Sequence, residues 1–535
     1  MRVEAVEYKM SGTNSMNKNA VSIRWIFVVL MIIGILSRIV LLGKVPGGIN
    51  QDEAYATYEA YSLIETGMDS RGYVNPVYFV AWGSGMNALL TYILIPFVKI
   101  MGLTVMTPRL PMAIISILTL PAFYGVMRRI TNERIALIGL FLLAVSPWHI
   151  GLSRWALESN LSPAFLMFAL YFYLRTLEKP EFAPVCGLMY GLCLYCYALM
   201  WIVVPLILVM SLSYSFIRGE IKKQALGWYL TGGTILLILA VPLILFVLIN
   251  KDLLPEIRTA YFSIPHLISG RMDEVSLANI PENIHKTLYM FFIQADRDIF
   301  HASPRYGFYH HISIVFFPIG FIACCVQTYK RKKSAYILFH FLASVPIGIL
   351  VNIAVQRING IHIPILALTA LGIDGFSEWF KTRKQQVLSV IIAVYCLFFV
   401  RFEYHYFTDY GDDLTIVFQD GLEDGIRRAK ELAGDDTIYV SDAIYYSRIL
   451  FYDKFDPKEF QKTKEWGNLK GDEKYQFPLR FGRWTYKKED ITDSTVCLLD
   501  IPMSYENPFR NMEREEYKWI AVMKPGGGNV KTNNR

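Results

Sequence analysis

The sequence predicts an all-α polytopic membrane domain followed by a small C-terminal extracytoplasmic α/β domain. Three observations predict it. Apolar residues make up 53% of the 535 and charged residues 19%, more apolar surface than a soluble chain of this size can bury. The apolar residues fall in uncharged runs of about 20, the length a helix needs to cross a bilayer. Lysines and arginines cluster in the short loops between those runs. The formal net charge of +7 is thus a signature of membrane orientation, and no nucleic-acid partner is expected.

The spans lie near 25–43, 109–127, 135–152, 161–177, 183–199, 201–217, 228–249, 312–328, 335–353, 361–378 and 386–402. Lys9, Lys18 and Arg24 precede the first and make 1–24 a cytoplasmic segment. That first run lacks a small-residue cleavage site, so it is read as a retained helix. A further apolar run at 86–103 is ambiguous by itself. If it crossed, the cation clusters Arg128-Arg129, Lys222-Lys223, Lys330–Lys333 and Lys381–Lys384 would all lie outside. Treated as an interfacial segment, with its Gly83-Ser84-Gly85 entry and Pro96, it leaves every cluster inside.

The expected result is about 11 transmembrane helices over 25–402, in the plasma membrane, with the N-terminus cytoplasmic and the C-terminus extracytoplasmic. Outside lie a first loop at 44–108, a short turn at 153–160, a large loop at 250–311 and the domain 403–535. In that domain Gly421–Leu432 reads as an amphipathic helix and Asp436–Val440 as a strand. Tyr445–Asp453 reads as a helix or strand, and Ser494–Leu499 as a buried strand. Only Cys497 of the seven cysteines lies there, so no disulfide framework is implied. Cys193 and Cys196 have C-x-x-C spacing inside an apolar run and read as packed thiols.

Four external stretches carry polar chemistry. Asp52 and Glu53 follow the first span, with Tyr55 behind them. Their structural reading is an N-cap, Asp52 opening a helix from Glu53 to about Glu65. Arg154 and Glu158 lie four apart in the turn 153–160 and would share a helix face as a surface pair. Ionisable groups beside a membrane cavity are nonetheless functional candidates. Arg357 sits between two apolar spans; it either snorkels to headgroups or forks onto a lipid phosphate. The loop 250–311 mixes Arg271, Arg305 and His301 with carboxylates and aromatics, which suit phosphate and sugar. His301, His310 and His311 lack the short ligand spacing of a zinc site, and no metal site is assigned.

Taken in order and sidedness, these pieces resemble the membrane glycosyltransferases of the GT-C fold. They are most similar to the protein O-mannosyltransferase and aminoarabinose-transferase group. The residues that carry the likeness are Asp52-Glu53 with Tyr55, Arg109-Leu110-Pro111, and Ser146-Pro147 with Ser153-Arg154 and Glu158. Arg357-Ile358-Asn359 and Ile363-Pro364 complete it, so it covers roughly the first 380 residues. Where that group often carries His-Pro-Pro in the first loop, this chain has Trp82-Gly83-Ser84-Gly85.

The resemblance implies an inverting transfer of a sugar from a polyprenyl-phosphate carrier to an extracytoplasmic protein, lipid or cell-wall glycan. It implies catalytic roles for Asp52 as base, Glu53 as its support and Glu158 as a second acid. Arg357 is the first candidate for the donor phosphate, with Arg154, Arg271, Arg305, Tyr55 and His301 as further substrate contacts. No cofactor is required by such chemistry. Relatives that use diphosphate carriers hold a divalent cation, for which Asp52 and Glu158 would be ligands. The alternatives are a transporter or flippase, and a non-catalytic membrane scaffold with an external domain. A transporter would place charges at mid-bilayer depth on paired broken helices, whereas here they sit at the external ends of nearly charge-free spans.

Overall fold

The computed structural model describes residues 23–269, 277–296, 298–468, 475–506 and 509–524. The expected segment 1–24 lies almost wholly outside them, as does Arg271.

The described residues open with helix α1 over 23–39. The loop 44–108 then holds α2 (Gln51–Thr66), a two-strand hairpin of β1 (Tyr78–Phe79) and β2 (Met86–Asn87), and α3 (Leu89–Met101). At 13 residues, α3 is about 20 Å long, short of the ~30 Å hydrocarbon core. It packs along α2. Next come α4 (Met106–Ile130), α5 (Glu133–Ala144), α6 (Pro147–Ser153), α7 (Ser162–Glu178), α8 (Ala183–Leu194), α9 (Met200–Ile217) and α10 (Leu226–Ile249). The stretch after α10 carries β3 (Ile257–Arg258), β4 (Ser263–Ile264) and α11 (Ile280–Ile293). The helical part closes with α12 (Ser313–Tyr329), α13 (Ala335–Leu350), α14 (His362–Glu378) and α15 (Lys384–Tyr406).

The run at 135–152, expected as one span, is broken. α5 and α6 meet at an angle of 57°. Pro147 has no N–H to continue the ladder and forces Ser146 out of the helical region, to ψ 121°. Among the described residues, five helices are long and apolar enough to cross a membrane, and six if this bent pair counts as one span.

Burial sorts the helices into an inner and an outer set. α14 is buried from His362 to Ile373. α10 is buried only at Gly232, Leu243, Phe246 and Ile249, and exposes Leu230, Leu237, Ile238, Val241 and Ile244. So broad an apolar band facing outward marks a lipid contact. α12 and α14 cross in backbone contact. A Cβ on Gly320 would overlap the Leu368 carbonyl, and one on Gly372 the Phe316 carbonyl. Small residues permit such an approach where no water is squeezed out to drive packing.

Beyond α15 the chain forms α16 (Asp409–Val417), α17 (Leu422–Ala433), α18 (Tyr446–Tyr452) and α19 (Pro457–Thr463). These flank a seven-stranded sheet of β5 (Ile438–Val440), β6 (Glu465–Trp466), β7 (Pro478–Phe481), β8 (Trp484–Thr485), β9 (Val496–Asp500), β10 (Glu513–Tyr517) and β11 (Ile520–Lys524). The spatial order is β10-β11-β9-β5-β8-β7-β6, with β5 parallel to both neighbours and the other pairs antiparallel. Every residue of the central strand β5 is buried. α17 sets Leu422, Gly425, Ile426, Ala429 and Ala433 against β9 and β11, the spacing of one helix face. Tyr445–Asp453, left open between helix and strand by its sequence, is helical as α18. This sheet domain rests on the loop 44–108, with α18 and α19 packed against α2.

Candidate active site

The acidic pair sits where α1 hands over to α2. Gly48 adopts a φ of +79°, and a side chain there would overlap the Phe418 carbonyl; glycine alone fits comfortably. Ile49 then donates its N–H to that same carbonyl at 2.8 Å. The N-cap of α2 is Asn50, not Asp52. The Asn50 side chain accepts from the Asp52 N–H at 2.9 Å, and Glu53 accepts from the Asn50 N–H at 3.0 Å. This capping box leaves Asp52 in the first turn, half-buried.

Glu53 is buried and saturated. Its oxygens take Arg109 Nε at 3.2 Å and Nη2 at 3.3 Å, the Ala156 N–H at 2.9 Å and the Asn50 N–H. Arg109 also donates to the carbonyls of Leu42, Pro46 and Gly48. Glu53 therefore ties the start of α2 to α4 and to the turn after α6, and Asp52 is the half-buried carboxylate of the pair.

The turn 153–160 does two jobs. Arg154 is buried, and donates to the carbonyls of Ser37, Val40 and Val45 at 2.7–3.0 Å while lying over the rings of Tyr406 and Phe407. Those of Ser37 and Val40 belong to the end of α1, where carbonyls lack a helical partner, and that of Val45 lies in the loop beyond. Arg154 braces that helix end, and its hydrogen bonds go to these carbonyls and not to Glu158. Glu158 is half-buried and accepts from the Asn87 N–H of β2. Next to it, Asn359 donates to the Ser159 carbonyl at 3.0 Å and to Asn160 Oδ1 at 3.3 Å, and accepts from Trp148 Nε1 at 3.2 Å.

Arg357 precedes Asn359 in the 3-10 turn Val355–Ile361. It lines a cavity of about 660 Å³ with His285, Lys286, Tyr289, Asp296 and Gln356. An apolar groove of about 410 Å³ shares α11 and this turn as walls, and is lined by Leu288, Phe291, Phe317, Phe341 and Ile361. Neither Asp52 nor Glu158 lines either space. Asp296 accepts from the Val355 N–H and pairs with His301 Nδ1, each at 2.9 Å. His301 is buried against Trp155. Arg305 is exposed and lies over the Tyr306 ring. Tyr55 is buried beneath α2, 5.0 Å from the Trp82 ring. Burial raises its phenol well above the ordinary range.

Contacts thus join the acidic pair to the turn 153–160, that turn to the Arg357 segment, and that segment to the large loop. Three features escaped the sequence reading. Arg38, inside the first apolar run, donates to the Leu143 and Ala144 carbonyls freed by the α5–α6 break; an arginine in a span is itself a signal. Glu59 and Asp69 are buried together near the domain boundary. Burial, then their mutual repulsion, raises Glu59, and burial raises Asp69. The third is Arg448 of α18, which reaches the segment before Asp52.

Residues 88–246 match the model of a family described as dolichyl-phosphate-mannose-protein mannosyltransferase. No curated protein matches the chain. Among solved structures, it is similar to ArnT from Cupriavidus metallidurans in the apo state, with a TM-score of 0.55 at 11% identity over 95% of this chain and 98% of that one. The same protein bound to undecaprenyl phosphate gives 0.52 at 10%, over 95% and 99%. The Archaeoglobus fulgidus oligosaccharyltransferase in complex with Zn and sulfate gives 0.51 at 13%, over 78% and 60%. The ArnT likeness runs through the helical part and the sheet domain alike, and it gives this chain the fold of the GT-C membrane glycosyltransferases.

Proposed function

We propose that the protein is an integral membrane glycosyltransferase that moves a sugar, with inversion, from a polyprenyl-phosphate carrier to an acceptor outside the cytoplasm. The observation that carries this reading is Asp52, held half-buried at the start of α2 by the saturated Glu53–Arg109 pair, in a chain with the fold of such enzymes. Eleven spans cross the membrane: α1, α4, the bent α5–α6 pair, α7–α10 and α12–α15. At 12 residues α8 is no longer than α3 at 13, so α3 is left out for the side on which its crossing would put the cation clusters and not for its length. The N-terminus is inside and the sheet domain outside, because this keeps the cation clusters cytoplasmic.

In the reaction, the acceptor oxygen bonds to the anomeric carbon as the bond from that carbon to the carrier phosphate breaks. Asp52 takes the acceptor proton. The phosphate leaves on its lipid, its charge met by Arg357 and Lys286 in their shared cavity. The adjoining apolar groove suits the prenyl chain, and undecaprenyl phosphate on the similar ArnT supports that carrier. A phosphate leaving group needs no metal, and the step is drawn without one. A transporter reading is not favoured.

The test is transfer in membrane vesicles from a radiolabelled polyprenyl-phosphate sugar. Asp52→Asn should lower the rate about 10²–10⁴-fold with the protein still folded. Undiminished transfer, or equal use of a sugar nucleotide without lipid, would sink the reading.

A further inference from the structure

Arg448 lies in the sheet domain, on α18, almost 400 residues beyond Asp52 in sequence. It is 2% exposed, and such burial of a guanidinium is tolerated only where its donors are used. They are used on the acidic segment and its neighbour. Nε donates to the Ile49 carbonyl at 2.9 Å, and Nη2 to Gln51 Oε1 at 2.9 Å and to the Val417 carbonyl at 2.7 Å. Beside it, Ser447 Oγ donates to the Gln51 carbonyl at 3.0 Å. Three of these four bonds fix the residues that flank the N-cap and lead into Asp52, and the fourth ties Arg448 to the end of α16.

We propose that Arg448 is a positioning residue of the transferase, by which the sheet domain holds Asp52 in line with the acceptor hydroxyl. The arginine does not touch substrate. It acts through Asp52, and the inference rests on Asp52 being the base. The charges around it fit this role. Asp52 and Glu53 face Arg448 from α2, and Tyr445 and Tyr452 from its own domain; burial lowers the guanidinium to about 10, against the pull of the two carboxylates. The guanidinium stays charged at neutral pH and presents a rigid fork to two acceptors that precede the base. A base displaced by about 1 Å loses on the order of 10²-fold in rate, so a brace on these residues acts directly on turnover. The sheet domain is then part of the active site.

The full-length chain is compared as wild type, Arg448→Gln, Asp52→Asn and the double variant, in the vesicle assay with a polyprenyl-phosphate sugar. Arg448→Gln should lower kcat about 10–100-fold and leave the donor KM within about twofold. In the Asp52→Asn background it should cost nothing further, since residues acting as a unit are not additive. Arg428→Gln, which breaks an outer pair with Glu515 in the same domain, should leave kcat unchanged. Costs that multiply, a KM rise at constant kcat, or an equal loss in Arg428→Gln would overturn the proposal. Should Arg448→Gln not be recovered folded, Gln51→Leu removes one arm of the fork and should lower kcat about 3–10-fold at constant KM; an unchanged kcat there overturns it too. If Asp52→Asn is itself fully active, the underlying reading fails. If Asp52→Asn is inactive and Arg448→Gln is normal, only this inference fails.

Discussion

At the scale of single residues, adjacent carboxylates have opposite fates. Glu53 is enclosed by four donors from three residues and Asp52 is half-buried, although both sit in one helical turn. Glu53→Gln leaves the Arg109 charge buried without a counter-ion. Breaking a buried pair from one side costs about 3–5 kcal/mol. The purified variant should therefore melt at a markedly lower temperature in detergent, followed by tryptophan fluorescence, and an unchanged midpoint would refute the structural role. Arg154 makes the same point in reverse. Its place in the polar turn 153–160 is what a phosphate ligand would have, yet its Nη1 and Nη2 donors reach backbone carbonyls more than 100 residues earlier in the chain.

At the scale of elements, two backbone features place the site. The break between α5 and α6 turns the chain so that Ala156 can meet Glu53 and Asn160 can meet Asn359. The contact of α12 with α14 sets the axis of the buried helix that follows Arg357. Gly372→Leu would drive a side chain into the Phe316 carbonyl. It should abolish accumulation of folded protein, read as loss of the monodisperse peak in detergent chromatography. Substitution of Gly233, where an added Cβ meets nothing within 4 Å, should be tolerated as Gly233→Ala.

At the scale of the whole molecule, the sheet domain docks on α2 and the loop after it. Lys464 donates to the Ser70 carbonyl at 2.7 Å and Gln461 to the Asp69 carbonyl at 2.8 Å, while Arg71 reaches Gln476 at 3.0 Å. Directly beneath, Glu59 accepts from the Ser70 N–H and hydroxyl. Burial and the neighbouring Asp69 lift Glu59 from an ordinary 4.5 to about 8. The folded state then binds the Glu59 proton more tightly than the unfolded state does. Its stabilisation is full below about pH 4.5 and is lost as pH rises through about 8. The melting temperature should fall between pH 5 and pH 8, and Glu59→Gln, which cannot ionise, should flatten that slope. A variant with the wild-type slope would show that the carboxyl titrates elsewhere.

The sequence by itself determined what depends on local pattern. Apolar runs of bilayer length gave the helical membrane domain, and one-face periodicity gave α17. Asn50 and Glu53 spell the capping box that starts α2, two residues before the Asp52 cap that the acidic pair suggests. Pro147 carries the break that the hydropathy of 135–152 conceals. The tertiary structure decided where side chains far apart in sequence meet. Arg38, Arg109 and Arg154 are cations at the edges of spans, and nothing in their spacing tells a phosphate ligand from a cap on a distant helix end. Arg448 lies in a domain whose pattern carries no trace of the membrane part. A buried guanidinium takes whichever carbonyls the fold presents, and that choice is made by packing over hundreds of residues, not by its neighbours in the chain.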